Sequence, residues 1–108
     1  MNKLIVALFA ATSLSAYAGT AGPVKLKNLH FMPNGTVIAY IDGPRSSAPT
    51  CATESSRFAV PATSAGGKVQ LAGLLMAYTT GKPVTIYGTG TCAAWGDTES
   101  IDFFLTLD

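Results

Sequence analysis

The chain of 108 residues is poor in the side chains from which most catalytic and metal sites are built. It has a single histidine, His30, and two cysteines that are far apart. One histidine without a Cys-x-x-Cys pair makes no metal-ligand cluster. No Gly-x-Ser-x-Gly motif supplies a serine nucleophile for His30 to serve. Gly88-Thr89-Gly90 is followed by neither Gly-Lys-Ser/Thr nor a helix start, which argues against a phosphate loop. These absences imply no metal and no cofactor, and they count against most enzyme classes. No apolar run reaches the ~20 residues that a membrane-spanning helix needs. The helix-like stretch Val69 to Tyr78 is too short for one.

The N-terminus has the three parts of a secretory signal. Met1-Asn2-Lys3 carries one positive charge, Leu4 to Leu14 is an apolar core, and Ala16-Tyr17-Ala18 ends in the small residues that signal peptidase reads. Cleavage is expected after Ala18. Residue 19 is glycine rather than cysteine, so a lipid anchor is not expected. The expected mature chain is one domain, residues 19–108, secreted or periplasmic. Loss of Lys3 from seven basic residues leaves six, against six acidic ones. A chain of zero formal charge with no basic stripe offers nothing to nucleic acid and no polybasic patch to anionic lipid.

A domain of this size buries only about 60–65% of its unfolded surface, so a covalent staple is plausible. Cys51 and Cys92 allow one internal pairing in an oxidising compartment. Closing that loop contributes ~4 kcal/mol in the chain-entropy model.

Along the mature chain, Gly19 to Pro23 reads as a loose leader. From Val24 to Met32 the apolar positions are even at Val24 and Leu26, then odd at Leu29 and Phe31. A one-residue shift of that kind predicts a β-bulge or a bend. Pro33-Asn34-Gly35 is a turn, and Thr36 to Ile41 is the β-branched return strand. A third strand is expected at Ala48 to Thr53, carrying Cys51. Phe58-Ala59-Val60 is a short apolar patch ended by Pro61. Val69, Ala72, Leu75 and Met76 recur at helical spacing, widened by Leu71, Leu74 and Tyr78. They predict a helix from about Gly67 to Thr80, capped by Gly81 and with its sheet contact marked by Gly73. Val84 to Gly88 and Ser100 to Leu107 are the last strands, the latter with Ile101, Phe103, Leu105 and Leu107 on one face.

The order is therefore β-β-β-α-β-β, mainly β with one helix. It matches a small antiparallel oligonucleotide/oligosaccharide-binding (OB) barrel, with another open antiparallel sheet as the alternative.

Two groups of residues could carry function. Asp97 and Glu99 stand two apart, a spacing that on a strand puts both carboxylates on one face, as glycosidase chemistry needs. Tyr87 and Trp95, with Thr89, Thr91 and Asp97 nearby, offer rings to stack on sugars and polar groups to bind their hydroxyls. Against this, Trp95 packed on the disulfide would be an ordinary satellite of the core. His30 reads as a surface or barrel-mouth residue.

The hairpin, the single helix and the run Thr80-Gly81-Lys82-Pro83-Val84-Thr85-Ile86 resemble the B subunits of bacterial five-B-subunit toxins, the subtilase-cytotoxin and pertussis-like B subunits above all. The likeness spans roughly Leu29 to Ile86. It implies an oligosaccharide-binding barrel that assembles as a pentameric ring and binds glycans, often sialylated. The serine that contacts sugar near the first hairpin in that family has no counterpart in Asn34-Gly35-Thr36-Val37, so no sugar-binding residue carries over. The expectation is thus a non-enzymatic module with a glycan or protein partner. A periplasmic inhibitor or immunity-type protein is the alternative. The intact mass of the exported protein is expected to be that of residues 19–108 less two hydrogens. Alkylation without reductant should leave that mass unchanged; a mass gain would mean free thiols.

Overall fold

The structure is a computed structural model that describes residues 18–107. The expected signal sequence, apart from Ala18, lies outside the described residues. Five strands and one helix follow in the order β1 (Thr20–Phe31), β2 (Thr36–Asp42), β3 (Arg57–Pro61), α1 (Ala65–Thr80), β4 (Val84–Gly88) and β5 (Ile101–Thr106). They form one antiparallel sheet in the order β3-β2-β1-β4-β5. The sheet is not closed into a barrel. Its two ends meet at a single parallel bridge between Ala59 and Ser100, where the Ala59 N–H donates to the Glu99 carbonyl at 2.9 Å.

The first hairpin follows its local chemistry. Asn34 Oδ1 accepts from the Thr36 N–H at 3.0 Å, and Gly35 takes φ 88°. The expected bulge lies between Leu26 and Asn28, where the β1–β2 register shifts. It lets Leu26 and Leu29 both reach the core, although they are three residues apart. Residues 19–23 are not a loose leader. Thr20 and Ala21 pair with Tyr87 and Ile86, and pairing resumes at Val24 with Val84. Gly22-Pro23 falls in the intervening irregularity, where a residue without an N–H interrupts no ladder bond.

The third strand is Arg57–Pro61, not Ala48 to Thr53. The earlier segment turns at Pro49, whose carbonyl accepts from the Ala52 N–H, so Cys51 sits in the β2–β3 loop. Phe58, Ala59 and Val60 are all buried, because β3 is covered on both sides. Such a strand loses the polar alternation by which strands are recognised. The disulfide joins Cys51 to Cys92 across 41 residues, tying the β2–β3 loop to the β4–β5 loop.

The helix begins two residues before the expected start, because the Ser64 hydroxyl caps it by accepting from the Gly67 N–H at 2.9 Å. Gly81, in the left-handed region, ends it as expected. The buried face keeps Leu74 from the expected set but is otherwise shifted away from it. Gly67, Leu74 and Ala77 are buried, whereas Val69 is 75% exposed and Leu75 and Met76 are also exposed. This helix is apolar almost all round, so periodicity cannot choose its inner side. Small residues choose it by allowing close approach: a Cβ on Gly73 would lie 2.9 Å from Cζ of Phe104.

In β5, Ile101 pairs with Gly88 and Phe103 with Tyr87, so Asp102 is an extra residue and the faces exchange after Ile101. Phe104 therefore packs on the core, and Phe103 and Leu105 point outward. Among the described residues no helix is long and apolar enough to cross a membrane.

The helix assignment has a direct test. Leu74→Ala should cost about 2–5 kcal/mol of unfolding free energy. Met76→Ser should change it by less than about 0.5 kcal/mol. Urea titrations showing the reverse order would put the other face inward.

Candidate functional site

The two carboxylates proposed as a pair go to different places. Glu99 is fully buried. Its Oε1 is ion-paired with the Arg45 guanidinium, and its Oε2 accepts from the Gly90 N–H at 2.7 Å and the Gly19 N–H at 3.0 Å. Arg45 is itself almost wholly enclosed. It donates to the carbonyls of Ser47 (2.8 Å) and Ser55 (3.3 Å), and its guanidinium lies 4.1 Å from the centroid of the Phe58 ring. Gly88 makes the space: any side chain there would collide with the Glu99 carboxylate. Glu99 thus holds the fold, with both oxygens engaged and no exposed surface to offer a substrate.

Asp97 lies at the turn between Trp95 and Thr98 and is 46% exposed. Alternation along β2 and β3 puts Tyr40 and Arg57 on the face opposite Phe58 and Val60. There Arg57 links its own strand to β2 and to the β4–β5 loop through three hydrogen bonds. Its Nη2 donates to Asp97 Oδ1 (2.8 Å), Nε to the Thr98 hydroxyl (2.8 Å) and Nη1 to the Tyr40 hydroxyl (2.7 Å). The exposed His30 ring lies 4.6 Å from that of Tyr40, tilted by 52°. The Thr98 hydroxyl first, and the Arg57 guanidinium next, hold the Asp97 carboxyl below the ordinary aspartate range. Burial works against the charge on Arg57, but the Tyr40 and Asp97 bonds outweigh it and raise its pKa.

The hydrogen bonds and ring contacts separate the five candidate binding residues into two groups. Trp95, half-buried, and Asp97 belong to the turn beside Arg57 and Tyr40. Tyr87 belongs to the outer face of β4, where its ring stacks on Phe103 with centroids 4.6 Å apart and planes 18° apart. Just beyond it, the exposed hydroxyls of Thr89 and Thr91 bond to each other at 3.0 Å. Phe103 and Leu105 extend this surface, and each is nearly half exposed.

Sequence reasoning missed Arg57, Tyr40, Arg45 and Phe103. The two arginines carry no local signal, since their partners lie 40 and 54 residues away. Phe103 was hidden by the extra residue at Asp102. Among the described residues, no three or more His, Cys, Asp or Glu side chains come together as metal ligands would. Comparison with protein-family models, with curated proteins and with solved structures finds no match for this chain.

The lowered Asp97 pKa fixes the sign of a pH effect. Its contribution to stability is present above the ordinary aspartate pKa, about 3.9, and is lost as pH falls through the lower folded value. The Tm gap between wild type and Asp97→Asn should therefore narrow between about pH 5 and pH 2. A gap that stays constant over this range would show that the Arg57 pair does not stabilise the fold.

Proposed function

We propose that this chain is an exported, non-enzymatic binding module that recognises a glycan. The observation that carries this reading is the stacked Tyr87–Phe103 pair on the open face of β4 and β5. The two stacked rings cover each other's inner faces and leave the half-exposed Phe103 and the ring edges as an apolar surface on the sheet. Such aromatic surface can contact the apolar face of a sugar ring, and nearby hydroxyls then fix orientation. Thr89 and Thr91 supply those hydroxyls at the end of β4. Trp95 and Asp97, with Arg57 beside them, form a second polar–aromatic patch that would bind a further part of an extended ligand.

On this reading the five strands form a partly open OB barrel. Its support is topological: β3 and β5 are the ends of the sheet order, and the Ala59–Ser100 bridge is the first pairing that closure requires. The resemblance to toxin B subunits adds assembly of several copies, five in that family. The exposed stripe Val69, Ala72, Leu75 and Met76 on α1 is an apolar face of the kind such assembly would cover. The same stripe favours the second reading, a periplasmic inhibitor or immunity-type protein that docks on an enzyme.

A glycan array combined with light scattering after size exclusion separates the two. The glycan reading expects binding that Phe103→Ala weakens at least about tenfold. It also expects a mass above that of one chain. A strict monomer silent on all glycans would overturn it and leave the protein-binding role.

A further inference from the structure

The nitrogen of Gly19 lies in a buried polar site. It is 3.0 Å from Glu99 Oε2, in a pocket that also holds the Arg45 guanidinium and the Gly90 N–H. Gly19 is buried, and its carbonyl accepts from the Gly88 N–H at 2.9 Å, which docks it on β4. The position admits only glycine. A Cβ there would collide with the Ser47 carbonyl and the Arg45 guanidinium and would come within 2.9 Å of Glu99 Oε1. Ala18, one residue earlier, is exposed, and its carbonyl accepts from the Ser47 hydroxyl at 3.3 Å. The bond between these two residues is the one that the Ala16-Tyr17-Ala18 pattern marks for signal peptidase.

The geometry points to a maturation device: cleavage after Ala18 creates an α-ammonium at Gly19 that docks on the buried Glu99 carboxylate and completes the folded domain. The step is hydrolysis. Water adds across the Ala18–Gly19 amide, Ala18 leaves with the new carboxylate, and Gly19 keeps the nitrogen, which is protonated. A hydrogen bond charged only on the carboxylate side thereby becomes an ion pair charged on both sides. The charges at the site are Glu99, Arg45 and the new ammonium. The domain would then be more stable after processing than before it, and residue 19 is glycine because its nitrogen must reach the carboxylate.

This inference rests on the export reading, and the experiment separates the two. N-terminal sequencing of the native protein first establishes where it begins: a start at Met1 overturns both, and a processed start other than Gly19 overturns the docking alone. Two forms made in parallel are then compared, one beginning at Gly19 and one retaining Ala18. The Gly19 form should melt higher, by on the order of 5 °C. Its α-amine should be protected from an amine-acylating reagent at neutral pH when folded and reactive when unfolded. In Glu99→Gln forms the melting difference should vanish. If those variants do not fold, the amine-protection measurement on the wild-type chain still decides. A native start at Gly19 with equal melting temperatures and an amine equally reactive folded and unfolded would overturn the docking while leaving export intact.

Discussion

A carboxylate with no exposed surface is the constraint around which this small domain is organised. Burying an ionised Glu99 is strongly unfavourable unless each oxygen is answered. The answers come from separate parts of the chain: Arg45 from the β2–β3 loop, Gly90 from the β4–β5 loop, and Gly19 from the entry to β1. The Glu99 main chain adds a bond from Ala59 in β3. The pocket can form only when all these segments are in register. Arg45 over Phe58 then links the ionic site to the apolar core.

The disulfide ties the same two loops that supply Arg45 and Gly90, but it acts by a different mechanism. Closing a 41-residue separation restricts the unfolded chain and says little about how the loops lie. Glu99 does the opposite: it specifies the loop positions in the folded state. The pairing of a covalent limit with an ionic register suits a domain whose core cannot be large.

What could be read from the sequence was whatever is decided within a few residues. The Pro33-Asn34-Gly35 turn, the bulge after Leu26, the bounds of β4 and the Gly81 cap all depend on local backbone chemistry, and all are present in the fold. The errors share a cause, which is burial decided by distant partners. Phe58-Ala59-Val60 did not read as a strand because both its faces are covered. The helix buries only Leu74 fully of its expected face, because its apolar residues run around it and Gly67, Gly73 and Ala77 let its neighbours approach closely. The faces of β5 were reversed by one extra residue at Asp102. In the candidate site, Tyr87, Trp95, Asp97, Thr89 and Thr91 could be named from composition. How they are grouped depends on Arg57 and Phe103, whose positions are set by strand pairing.

The contrast between Asp97 and Glu99 bears on function. Spacing made them equivalent, yet the chain turns between them. One carboxylate faces solvent beside Arg57 and Trp95, and the other is sealed against Arg45. A glycosidase pair needs both groups to reach one bond, with one of them exchanging a proton with substrate. Glu99 has no surface from which to do so, and Asp97 is held in its charged form by Thr98 and Arg57. What remains exposed is a stacked ring pair, a hydroxyl pair and an ion pair on the outer faces of the strands. On the proposed reading these groups would bind by shape and hydrogen bonding, and the buried ionic site leaves them exposed by holding the sheet together from within.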